Sequence, residues 1–214
     1  MADSFGNMIK RTPAYFWLRK IQLLWQKKRG RAAWEKCGCP NPPPHFIKQQ
    51  VLESFAQKFG ARVFVETGTY YGDTVEAMRK LFDRIYSIEL SEFLSKTAKK
   101  RFARHNHIEI IQGDSAVELK RLLEKIDQPA LFWLDGHYSA GITARGEKDC
   151  PALEELEPIL KSRHRHVIVI DDARCFGTSA GYPTIQELTD FVNRFRNDVD
   201  ISVELDSIRI IPRT

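Results

Sequence analysis

Past residue 45 the chain alternates between short apolar runs and longer stretches whose apolar residues recur every three or four positions. The runs "RVFVE", "RIYSIEL", "IEIIQGD", "ALFWLDG" and "HVIVIDD" are almost continuously apolar until their last residues, as strands buried on both faces must be. Between them lie "DTVEAMRKLF", "SEFLSKTAKKRFARH", "SAVELKRLLEKI" and "PALEELEPILKS", each with an apolar stripe at helical spacing. A further helix, "FIKQQVLESFAQKFG", precedes the first strand, and Gly60 supplies its stop. Ser91 is placed to cap the helix after strand two. The chain closes with the helix "TIQELTDFVNRFRN" and two short strands, "ISVEL" and "SIRIIP", whose tight "ELDSI" join predicts an antiparallel pair.

This alternation predicts an α/β fold: a Rossmann-like, doubly wound, mostly parallel seven-stranded sheet with an antiparallel last strand and helices on both faces. The domain should span 45–214. Ahead of it, "CGCPNPPPH" is a stiff break that ends a different kind of segment. Over residues 8–36, Trp17, Ile21, Leu24 and Trp25 recur at helical spacing among Lys and Arg. Residues 1–44 therefore read as a basic helical segment and Pro-rich linker. Its helix either lies on an anionic membrane surface or partner, or packs its aromatic stripe on the domain.

Charge sharpens the division. The net charge of +5 conceals +7 in residues 1–36, which leaves −2 for the rest. A slightly acidic body argues against a nucleic-acid groove. The chain lacks the roughly 18 consecutive apolar residues of a membrane span and shows no secretory signal pattern. Four scattered cysteines are not a disulfide framework. The expectation is a cytoplasmic protein, at the inner membrane surface if the basic helix meets lipid.

Candidate chemistry gathers at the strand ends. In an open α/β sheet the ligand sits outside the carboxyl ends of the strands, and here those ends carry Glu66, Glu89, Asp114, Asp135 and the pair Asp171 and Asp172. Gly68 and Gly72 follow the first strand, in a turn where missing side chains would let a ligand approach backbone amides. Glu89 lies 21 residues after Gly68, where a carboxylate meets ribose hydroxyls in adenosine-binding folds. The glycine spacing is Gly-x-x-x-Gly, unlike the three-glycine dinucleotide pattern. His105, His107, His164 and His166 flank strand starts, away from the expected active face, and read as structural.

"VETGTYYGDT", "SIEL", "QGDS" and "WLDGHY" resemble the successive motifs of class I S-adenosylmethionine-dependent methyltransferases. The resemblance implies S-adenosylmethionine as cofactor, with Glu66, Gly68, Thr69, Gly72 and Thr74 around its methionine and ribose portion. It further implies Glu89 on the ribose hydroxyls, and Asp114 with Ser115 by the adenine. "LDG" and "IDDAR" resemble the cation-dependent O-methyltransferases that act on sugars and macrolides, which implies a small-molecule or glycan acceptor. Asp135, Asp171 and Asp172 would then hold Mg²⁺ or another divalent cation, whose task is to lower the pKa of the acceptor hydroxyl. His137 stands where an acid is common in the sugar-modifying relatives, so a metal-free enzyme with His137 as base stays open. Tyr138 and Arg145, in the loop that follows, are candidate substrate contacts. Two other classes stay open: a nicotinamide-dependent oxidoreductase, although the chain has no Tyr-x-x-x-Lys pair, and a non-catalytic adenosyl-ligand-binding module.

Overall fold

The computed structural model describes residues 30–136 and 150–213, with Leu18 and Ile21 besides. Among these, seven strands form one sheet: β1 (Val63–Thr67), β2 (Arg84–Glu89), β3 (Ile108–Gln112), β4 (Ala130–Leu134), β5 (Val167–Ile170), β6 (Val199–Glu204) and β7 (Ser207–Pro212). Their order is β3-β2-β1-β4-β5-β7-β6. Pairing is parallel from β3 through β5, while β7 runs antiparallel to both of its neighbours. Every residue of β1, β4 and β5 is buried. Such strands need cover on both sides and so take the middle of the sheet.

That cover comes from two sets of helices. On one face lie α1 (His45–Phe59), α2 (Asp73–Met78) and α3 (Glu92–Phe102), packing Leu52, Phe55, Met78 and Phe102 onto Phe64, Leu131 and Val169. On the other lie α4 (Ser115–Leu123), α5 (Ala152–Lys161) and α6 (Ile185–Phe195), packing Leu119, Leu156, Ile159 and Leu188 onto Val65, Phe132 and Ile168. The alternation Phe64 to one side and Val65 to the other is the period-two pleat at work. The predicted doubly wound architecture is the observed one.

Local signals mostly hold. Gly60 ends α1 in the left-handed region at φ 59°, and the Ser91 hydroxyl accepts from the Leu94 N–H at the start of α3. Leu205 and Asp206 both have positive φ, which gives the β6–β7 join the two-residue geometry that matches strand twist. One helix is shorter than its sequence pattern. α2 stops at Met78 rather than running to Phe82, because the chain turns, with the Leu81 N–H on the Met78 carbonyl. The turn brings Phe82 onto Phe64, ring centroids 5.2 Å apart.

Residues 30–36 are helical and contact the domain. Arg31 donates to Gln50 on α1 at 3.2 Å, and a side chain at Gly30 would run into the Phe46 ring. The remainder of 8–29, apart from Leu18 and Ile21, lies outside the described residues. No helix among the described residues is long and apolar enough to cross a membrane.

Candidate active site

Strand order reverses direction between β1 and β4, since β2 and β3 lie to one side and β5 to the other. A crevice at that switch point is where open α/β sheets hold ligands. The acids predicted for the site divide between its two halves.

The β1–β2–β3 half carries Glu66, Glu89 and Asp114. Glu66 is 1% exposed and accepts from the Ser87 hydroxyl at 2.5 Å, while Ser87 and Thr69 share a bond of 2.6 Å. Burial drives the Glu66 carboxyl up to about 8, against the opposing hydrogen bonds from Ser87 and Thr74, so at neutral pH it is mostly protonated. Glu89 is also buried. One of its oxygens accepts from the Tyr70 N–H at 2.8 Å and the other from the Ser91 N–H at 2.9 Å. Burial raises the Glu89 pKa while those two bonds pull it down. A carboxylate has about four acceptor positions, so two backbone bonds leave capacity for a ligand's hydroxyls. Asp114 begins α4 and accepts from the Ala116 N–H at 2.8 Å, with Ser115 next to it. The Gly113 N–H bonds to the Glu89 carbonyl at 3.1 Å, which sets the β3 end beside the β2 end.

The two glycines have reasons within the protein itself. A side chain at Gly68 would stand 2.3 Å from the Asp135 carbonyl oxygen, and one at Gly72 would stand 2.6 Å from the Phe102 ring. Both have positive φ, 83° and 78°. The close approach inferred from sequence is therefore met first by the chain's own β4 end and α3. Gly72 also starts α2, whose Thr74 hydroxyl lies 3.3 Å from His45 Nε2.

The β4–β5 half carries Asp135, Asp171 and Asp172. The Asp135 N–H donates to both the carbonyl and the hydroxyl of Thr67, at 3.1 and 3.2 Å, which locks the β4 end to the β1 end. The Asp171 N–H donates to the Leu134 carbonyl at 3.0 Å. Asp172 takes left-handed backbone geometry, φ 54°, and its N–H bonds to Asp171 Oδ1 at 2.8 Å. A non-glycine residue held there is strained by about 1–3 kcal/mol.

Asp171 and Asp172 converge on a side chain from far earlier in the sequence. Lys48 on α1 places its Nζ 2.6 Å from Asp171 Oδ2 and 3.3 Å from Asp172 Oδ1. The side chains of Lys48 and Asp171 are only 12% and 5% exposed. Burial works against the ammonium, but Asp171, Asp172 and Asp135 outweigh it and hold the Lys48 pKa above the ordinary lysine value. Arg174 adds a second cation, 2.8 Å from Asp172 and also paired with the buried Asp206 of the β6–β7 turn.

The expected divalent ion does not fit this arrangement. Asp171 spends one oxygen on Lys48 and the other on the Asp172 N–H, and one Asp172 oxygen faces both Lys48 and Arg174. An Mg²⁺ ion needs near-octahedral oxygen ligands, and here it would meet an ammonium already on those oxygens. Among the described residues no cluster of His, Cys, Asp or Glu is arranged to hold a metal ion. His137, Tyr138 and Arg145 lie outside the described residues.

No family model matches the chain, and no curated protein does. Solved structures do. An O-methyltransferase from Bacillus cereus in complex with SAH superposes with a TM-score of 0.58 at 17% identity, over 87% of this chain and 90% of that one. TomG from Streptomyces achromogenes, an O-methyltransferase involved in tomaymycin synthesis and solved with SAM, gives 0.54 at 19% identity over 88% and 89%. The SAH-bound methyltransferase PaMTH1 from Podospora anserina gives 0.55 at 12% identity over 90% and 88%. The chain has the fold of these methyltransferases. The likeness is one of fold.

Two site residues escaped the sequence reading. Lys48 and His45 sit on α1, three positions apart and thus on one helix face, and meet Asp171 with Asp172 and Thr74 respectively. Nothing near them in sequence marks them. Only the buried Asp171, with Asp172 and Asp135 at neighbouring positions, called for a cation somewhere.

Proposed function

We propose that this chain transfers a methyl group from S-adenosylmethionine to a hydroxyl of a small molecule or glycan. The observation that carries the reading is the arrangement of side chains at the switch point of the strand order. Buried Glu89 and the Thr69–Thr74 turn stand on one side of the switch point, and the Asp135, Asp171 and Asp172 cluster on the other. One half suits an adenosyl cofactor, and the other suits a polar acceptor.

The cofactor supplies a methyl group made electrophilic by a sulfonium. Within this chain, Glu89 binds the ribose hydroxyls, and Asp114 with Ser115 borders the adenine. The acceptor's oxygen forms its bond to the methyl carbon as the carbon–sulfur bond breaks, and that electron pair stays on sulfur. The hydroxyl proton passes to a base, for which Asp135 at the β4 end is the candidate among the described residues and His137 the candidate beyond them. Holding oxygen, carbon and sulfur in line is most of the catalysis.

Calorimetry with S-adenosylhomocysteine and with NAD decides the cofactor. Binding of the first and not the second is expected; the reverse would return the chain to the oxidoreductases. A mass-shift screen of hydroxyl compounds, reading gain of one methyl, then identifies the acceptor.

A further inference from the structure

The β4–β5 half poses a charge problem that the chain solves with its own residue. Asp171, almost wholly buried, is costly to keep ionised without a cation, and the part-exposed Asp135 and Asp172 add negative charge beside it. We propose that Lys48 is the resident cation of the acceptor half, standing where a divalent ion would stand, and that this chain therefore works without a metal.

Three observations place Lys48 in that role. Its Nζ contacts both members of the Asp171–Asp172 pair. The left-handed turn at Asp172 folds that residue's N–H back onto Asp171 and brings both carboxylates within reach of one Nζ. Pro44 precedes α1, and Lys48 stands in the first turn of that helix, from which its ammonium reaches Asp171. A lysine ammonium has three donors. Two are directed at Asp171 and Asp172, and the third is available for an acceptor oxygen, where it stabilises negative charge as the hydroxyl proton leaves. Arg174 differs in kind: it braces Asp172 against the β6–β7 turn through Asp206.

The inference rests on the proposed methyl transfer, but its test is a separate measurement. Mn²⁺ is titrated into the full-length protein, with free Mn²⁺ read by electron paramagnetic resonance. Wild type should leave the Mn²⁺ signal undiminished at stoichiometric protein. Lys48→Met should gain Mn²⁺ binding, because the buried Asp171 loses its cation, and Lys48→Met combined with Asp171→Asn should lose it again. Lys48→Arg keeps the charge and should stay metal-free, which supplies a folded control should Lys48→Met prove unstable. Stoichiometric Mn²⁺ binding by wild type, or by Lys48→Arg, would overturn the proposal. Calorimetry with S-adenosylhomocysteine on the same samples reports the cofactor reading independently. Failure there would sink the methyltransferase while the Mn²⁺ titration still decides the place of Lys48.

Discussion

A carboxyl group buried within a sheet and held neutral makes stability depend on pH in a direction opposite to most acids. Glu66 is that group. Its pKa rises from 4.5 to about 8 in the folded chain, chiefly because burial penalises the anion. Between those values the folded state keeps a proton that the unfolded state has released, so stability falls as pH rises. The span of the shift corresponds to as much as about 5 kcal/mol at 1.36 kcal/mol per pH unit. Glu66→Gln removes the titration while its amide oxygen can still accept from Ser87. The decisive quantity is the difference in unfolding free energy between variant and wild type, measured by urea denaturation of the cofactor-free protein at a series of pH values. That difference cancels the other titrating groups. It should be flat below pH 4.5, rise in favour of Glu66→Gln through the window, and level off above pH 8. A difference that does not change with pH would refute the reasoning, and with it the neutral Glu66.

His166 should act in the opposite sense: its pKa is lowered from 6.5 to about 4 by burial, then by His164 and Arg196. The stability this buried neutral ring contributes is present above pH 6.5 and lost as pH falls towards 4, about 3 kcal/mol in all, and His166→Gln should abolish that acid slope in the same denaturation series. Gly68→Ala should cost about 2–4 kcal/mol, from a left-handed residue and a collision with the Asp135 backbone, read as a lowered thermal midpoint. Glu89→Ala should weaken S-adenosylhomocysteine binding by about 1.5–3 kcal/mol, as when a charged hydrogen-bonding partner is lost; unchanged affinity by calorimetry would remove Glu89 from the site.

Much of the fold could be read from the sequence because its signals are local. Apolar runs such as "ALFWL", too short for a helix and bounded by turn residues, read as strands covered on both faces, and Leu205 with Asp206 sit in a join short enough for a hairpin. The histidines illustrate the same logic at single residues. His166 precedes β5, its Nδ1 accepts from the Ala130 N–H at 3.1 Å, and its Nε2 meets the Ser162 hydroxyl at 2.9 Å. A ring so engaged is a structural brace, as its place at a strand start implied.

What could not be read was the partner of each charge. A strand end announces its own acid, since the acid interrupts an apolar run. The cation that answers it can come from any element that passes nearby, and Lys48 precedes Asp171 by 123 positions. On α1 it is one polar residue among several, "HFIKQQ", with no periodic feature to distinguish it from a solvated face. Sequence reasoning expected Mg²⁺ on the paired acids that end a buried strand. In the fold the Lys48 ammonium stands on those acids. The two solutions differ in consequence as well as identity. A bound ion can be removed and exchanged, whereas a lysine on a helix ties the acids at the β5 end to the packing of α1. α1 thus carries both Lys48, which meets Asp171 and Asp172, and Phe46, whose ring a side chain at Gly30 would strike.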